Sequence, residues 1–378
     1  MGDREGTSRE QRATKWPLLL MIIALFLRGT AITARATQDS WQLISPELLE
    51  HAKLRMVWQG KLPVQDAETP RQLTIVGDRI YILSDHNYMF CLDSEKGSVV
   101  FSKPIAPAGF AVLGLDPYGN ELVSVIGNKL VGIDKASGAE HKVANLQFGI
   151  VCPAGRNSQY FYLSGVDRRL HAVRADDKVE AFQVAAENES LITSVVAEEG
   201  LVVFATDAGN LIGIAPDRPK KLWQFDAVES IVAPIIKDGM SFYFACKDTN
   251  VYRVDMADTT GVRLVWKYQT EAVLDRAPHI TGSVIYQYAL GGGLTAIDKQ
   301  TGRALWSLPE GLDLLAEARG KAYLITKHRT LAVMDNSTAK KLYWVNFAAV
   351  SRHATNITDS KIYVADEFGR IACLEPVQ

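Results

Sequence analysis

The sequence is poor in the residues that build most metal and redox sites. Only four of its 378 residues are cysteine, and Cys91, Cys152, Cys246 and Cys373 lie far apart with no CxxC pair. That spacing excludes zinc-finger and dithiol chemistry. Cys91 in "YMFCLD", Cys246 in "YFACKD" and Cys373 in "IACLE" sit inside apolar runs, where a free thiol packs as a small hydrophobe. The seven histidines make no H-x-x-H or H-E-x-x-H pattern, which excludes the helical zinc-protease arrangement. No glycine-rich phosphate loop leads into a helix, and "GGG" (291–293) reads as a tight turn between strands. Charge of one sign is missing too. A net charge of −2 argues against a general binder of nucleic acid or anionic membrane, which needs a basic face.

The N-terminus has a composition of its own. Arg4, Arg9, Arg12 and Lys15 precede the apolar run "WPLLLMIIALFL", and "TARAT" follows with Ala34 and Ala36 in an A-x-A arrangement. This is the order of a secretory signal. The run is about 12 residues, short of the roughly 20 that span a bilayer. The expectation is a signal peptide over residues 1–36, with an uncleaved signal anchor as the alternative, and a lead-in segment over 37–53. No Cys lies near the apolar run, so no lipid anchor is expected. The protein is expected to be exported, to the periplasm or the outside.

What fills the rest is a repeat. A unit of two apolar alternating runs, a polar turn and an aromatic residue recurs. Copies start at Asp78, Asn120, Ser158, Glu199, Gly239, Gly282, Gly320 and Asp359. Val, Ile, Leu, Tyr and Phe alternate with polar residues inside each copy, as half-buried strands require. A further apolar stretch precedes each copy: 72–76, 110–115, 148–152, 191–196, 231–236, 277–281, 312–317 and 352–358. Four short strands in about 40 residues make one propeller blade. The last copy stops at Gln378, one strand short. "LRMVWQGKLP" (54–63) resembles the outer-strand segments "KLWQFDA" (221–227) and "LVWKYQT" (264–270), with Trp58 matching Trp223 and Trp266. The prediction is an all-β, eight-bladed propeller of four-stranded antiparallel blades over 54–378. The N-terminal strand closes the ring, and closure removes the free edges.

The best copy is "LTAIDKQTGRALW" (294–306). It resembles the repeat of the PQQ-like, quinoprotein-type β-propellers, A-x-D-x-x-T-G-x-x-x-W, at Ala296, Asp298, Thr301, Gly302 and Trp306. "GIDKASG" (132–138) and "CLDSEKG" (91–97) keep Asp134 with Gly138 and Asp93 with Gly97. The copies at 170–182 and 211–223 have lost both. The Asp side chain suits the backbone N–H groups of a turn, and Gly suits positive φ. The aromatics Trp58, Trp223, Trp266, Trp306 and Trp344 are expected to fill space between blades.

The resemblance raises the question of a cofactor. Quinoprotein dehydrogenases hold their quinone with a vicinal Cys–Cys disulfide, a Trp floor and a calcium site. This sequence has no adjacent cysteines and no long insertion between blades. No catalytic residue, metal ligand or cofactor is therefore expected. The chain also resembles the propeller lipoproteins of the outer-membrane β-barrel assembly machinery. That resemblance implies a non-catalytic platform for protein partners in envelope assembly, without the lipidated Cys. The alternative is a propeller that binds a small molecule or a PQQ-type cofactor. Asp275, Arg276 and His279 around "APHIT", and Arg352 and His353 before "ATNIT", are the candidates for the channel or its rim.

Overall fold

The computed structural model describes residues 41–65, 68–258 and 261–377. The segment 1–36 lies outside the described residues. Residues from Leu43 onward form one compact unit.

This unit is an eight-bladed β-propeller, and each blade is a four-stranded antiparallel sheet. Blade 1 spans residues 70–104, blade 2 112–145, blade 3 155–185 and blade 4 192–226. Blade 5 spans 236–269, blade 6 279–308 and blade 7 311–346. Blade 8 takes three strands from 352–376, and its outer strand is Leu54–Lys61 from the other end of the chain. Trp58 pairs with Cys373 there, and Leu54 with Pro376. The predicted closure is what the chain does. A short helix, Pro46–His51, precedes that strand, with Ser45 as its N-cap.

The apolar runs are long because the middle strands are covered on both faces. Ile80 and Ile82 pack toward blade 8, while Tyr81 and Leu83 pack toward blade 2. The core accordingly divides into eight clusters, one at each junction between neighbouring blades. The cluster joining blades 8 and 1 unites Tyr363, Ile371 and Cys373 with Phe90 and Leu92. The helix adds Leu49, and the segment leading into it adds Leu43 and Ile44, to the cluster between blades 7 and 8. All four cysteines are free and buried.

The inner strands depart from expectation where proline intervenes. The stretches 148–152 and 231–236 are mostly connections. Apart from a single bridge between Ile150 and Gly165, the inner strands start after Pro153, at Gly155–Arg156, and after Pro234, at Ile236–Asp238. Blade 6 likewise starts after Pro278, at His279–Ile280. A proline has no N–H to give to a ladder, so it sits ahead of these strands.

The repeated turns join third to outer strands. Asp298 Oδ1 accepts the backbone N–H of Gln300 and Thr301 at 3.2 and 2.7 Å. Asp93, Asp134 and Asp335 do the same in blades 1, 2 and 7. Gly302 sits at φ +69°, and a Cβ there would lie 2.6 Å from the Trp266 ring. That indole comes from blade 5 and donates its Nε1–H to Lys299 O of blade 6 at 3.1 Å. Trp58 bonds Ser94 O in the same way, and Trp306 bonds Asn336 Oδ1. The motif thus works between blades: the Trp of one blade closes over the turn of the next. Trp223 is buried, and among the described residues its Nε1 has no acceptor.

Trp344 does not fill that role. It is 41 % exposed, with the Lys341 ammonium over its ring. The strand register puts Tyr343 opposite Val333, as Trp306 stands opposite Ala296. Counted from Asp335 as Trp306 is from Asp298, the aromatic position falls on Tyr343, which packs against the junction cluster.

Candidate functional site

Two regions stand out, one inside the ring and one on a face. Inside, the inner strands of blades 6, 7 and 8 bring three polar side chains together. His279 Nε2 lies 2.8 Å from Asp313 Oδ1, and His353 Nε2 lies 2.9 Å from Asp313 Oδ2. Thr355 Oγ1 donates to Leu314 O and lies 3.4 Å from His279 Nε2. Burial pushes the Asp313 carboxyl up, but hydrogen bonds from the two imidazoles outweigh it and hold the group well below the usual carboxylate range. These residues border an open cleft of about 400 Å³, with Leu73 and Ile75 of blade 1 on its other side.

Of the five candidates, the structure brings His279 and His353 together through Asp313, which sequence reasoning missed. Its signal was present: Asp313 is one of two acidic residues, with Glu317, within the apolar inner-strand stretch "LDLLAE" (312–317). Arg352 lies at the seam of the ring and donates Nε–H to Pro70 O of blade 1 at 2.9 Å. Asp275 and Arg276 are exposed on the connection from blade 5 to blade 6, and the Arg276 guanidinium lies 4.2 Å from the Tyr288 ring centre. They take no part in the cluster. Among the described residues no group of three or more His, Cys, Asp or Glu is arranged to hold a metal ion. The cleft lining includes neither Trp nor Cys, so it does not fit the quinone site of the dehydrogenases.

The second region follows from strand direction. Connections from outer to inner strand, and hairpins from second to third strand, all emerge at one end of the ring, here called the top. Hairpins from first to second and from third to outer strand emerge at the bottom. In blades 2, 5 and 6 the entering connection bonds the top hairpin of the same blade: Gly127 N–H to Ala111 O, Lys247 N–H to Ser230 O, Leu290 N–H to Val273 O. Six large apolar side chains stand exposed on this face: Phe110, Val166, Val228, Val273, Leu290 and Phe368. Val228 and Phe368 are 76 % and 63 % exposed. The bottom loops expose Val179, Met240 and Ile357.

A family model described as outer membrane protein assembly factor BamB, of the PQQ_2 type, matches residues 253–349. Over these residues the chain resembles the PQQ-like propellers of the BamB type. It is 25 % identical over 244 residues to the outer membrane protein assembly factor BamB of Shewanella oneidensis, an alignment covering 60 % of this chain and 59 % of that protein. The crystal structure of BamB from Moraxella catarrhalis matches with a TM-score of 0.63 and 16 % identity, over 85 % of this chain and 97 % of that one. The computationally designed Ika8 protein matches almost as well, with a TM-score of 0.62 and 13 % identity, over 83 % and 98 %. A designed propeller scoring beside a natural one shows that the shape alone carries no function. Among the described residues no helix is long and apolar enough to cross a membrane.

Proposed function

We propose that this protein is an exported, non-catalytic docking platform in the assembly of outer-membrane proteins, acting in the periplasm through the top face of its propeller. The observation that carries this reading is the apolar set on that face, six residues at five places around the ring, with Val273 and Leu290 side by side. Single exposed apolar residues are ordinary, but the top loops carry six against three on the bottom loops, a bias that supports a contact surface on the top. The likeness to BamB supplies the setting. The small-molecule reading has less support, because the polar atoms of the channel cleft are engaged with one another.

The test places a photocrosslinking residue at Phe368 or Val228, and at Met240 as the bottom-face control, in cells that carry the assembly machinery. Crosslinks to a component of that machinery from the top positions, and none from Met240, are expected. With the crosslinking residue moved to Phe110, V228D with F368D should abolish the crosslinks while thermal unfolding stays unchanged. Equal crosslinking from both faces, or none from the top, overturns the reading.

A further inference from the structure

Blade 3 carries a buried charge centre directly beneath the top face. His171, on its third strand (Arg169–Arg174), is only 3 % exposed. It stands between Leu163 and Gln183 in the sheet. Phe90 and Ile212 hold the matching positions of blades 1 and 4. The His171 Nδ1 lies 2.9 Å from Glu180 Oε2, and its Nε2 lies 3.1 Å from both oxygens of Asp167. A neutral imidazole has one N–H and one lone pair. Both carboxylates are satisfied only when both nitrogens carry protons. Phe148 stacks on the ring with centroids 3.8 Å apart, a favourable place for a cation.

These contacts converge on two top loops. Asp167 belongs to the 165–168 hairpin, next to exposed Val166. Phe148 belongs to the 146–154 connection. The loops are zipped together by Val166 N–H to Gly149 O and Val151 N–H to Ser164 O, each 2.9 Å. A side chain at Gly165 would run into both Asp167 and His171. The groups facing the imidazole are Asp167 from the hairpin, Glu180 from the outer strand, Leu163 from the second strand and the Phe148 ring from the connection. Glu180 is also held by Gln183 through its other oxygen. Asp167 lies on a turn, so it is the carboxylate that yields.

We propose that His171 is a proton-operated latch on this sector of the top face. The doubly protonated ring pins the 165–168 hairpin against the 146–154 connection. Loss of one proton to solvent turns a lone pair toward a carboxylate, releases Asp167 and re-sets Val166. This rests on the reading of the top face as the docking surface, and makes docking in this sector pH-dependent.

The test is methyl NMR of Val166 with the His171 ring signal in the isolated full chain, from about pH 5 to about pH 8, the range where histidines change charge. The Val166 methyl signals are expected to move with the same midpoint as the His171 ring. In D167N they should hold the high-pH position at every pH, while the ring still titrates. H171Q should also remove the pH dependence. Val166 static while the ring titrates, or a ring that keeps both protons across the range, overturns the latch. Crosslinking from position 166 across the same range then separates the two ideas. If the latch signals hold but V228D with F368D keeps its partner, the docking reading fails and the latch stands.

Discussion

The two faces of the propeller were built under different demands. At the bottom, blades 1, 2, 6 and 7 repeat one turn, with an Asp accepting two backbone N–H groups. Aromatic side chains from the preceding blade lie on the turns of blades 1, 2 and 6. At the top the recurring element is local: Ser84, Thr206 and Thr326 each accept the backbone N–H four residues on, and among the described residues no Trp from a neighbouring blade closes over these hairpins. The loops vary in length, expose apolar side chains and are joined by backbone bonds and by side-chain bonds that differ from blade to blade, such as Asn87 Nδ2 to Phe110 O and Ser230 Oγ to Asp207 O. The contrast teaches where each kind of information sits. A propeller has no single core, so its repeated chemistry goes to the seams between blades. The face that needs no inter-blade motif is left to vary, and variable loops on a rigid frame are where binding collects.

The sharpest way to break the comparison is at the closing seam. Removing residues 43–61 takes away the outer strand of blade 8, the helix, and part of two junction clusters. Loss of cooperative unfolding by circular dichroism is expected, because the deletion reopens a free edge. Next in size is G302V at the bottom. It places a Cβ where the Trp266 ring stands, at a φ that a β-branched residue avoids. A cost of about 2–4 kcal/mol is expected by chemical unfolding. Crosslinking from Phe368 should survive this change under folding conditions. If a bottom turn proved as important to docking as the top loops, the division between faces would fall.

The same division explains what the sequence disclosed. Period-two alternation and the recurring Asp and Gly made the blades, their number and the closure legible, because seam chemistry repeats. The aromatic position of blade 7 was misplaced by one residue, since Tyr343 and Trp344 are neighbours and only the register of the bulged strand separates them. Asp313 escaped notice because it is one residue on one inner strand. His279 and His353 meet only through it, across blades 6, 7 and 8. The top-face set escaped because Phe110, Val228 and Phe368 are far apart in sequence, and their common face depends on strand direction.

Acid tests the bottom turns as a group. Hydrogen bonds from Thr301 hold the Asp298 carboxyl below its usual range. Those from Ser337 and Thr338 lower Asp335 to about 2. A carboxyl depressed in the folded state contributes stability fully above the unfolded value of about 3.9, and loses it as pH falls through the folded value. In thermal melts between about pH 5 and pH 2, D335N should lose less stability on acidification than the unaltered protein. An equal loss would mean that the turn carboxylates are not what acid attacks first.

The smallest effect compares two tryptophans that look alike in sequence. Trp266 is buried and donates to the turn of blade 6. Trp223 is equally buried against blade 5, and its Nε1 has no acceptor among the described residues. Replacing either with Phe keeps most of the packed area but removes the indole N–H. W266F should cost about 1 kcal/mol more than W223F: it deletes a made hydrogen bond and leaves Lys299 O without that donor, whereas W223F deletes a buried donor that was unsatisfied. Chemical unfolding of the two variants decides it. Equal costs would place the value of the aromatic position in packing alone, and the bond from each Trp to the next turn would then contribute nothing to holding the blades together.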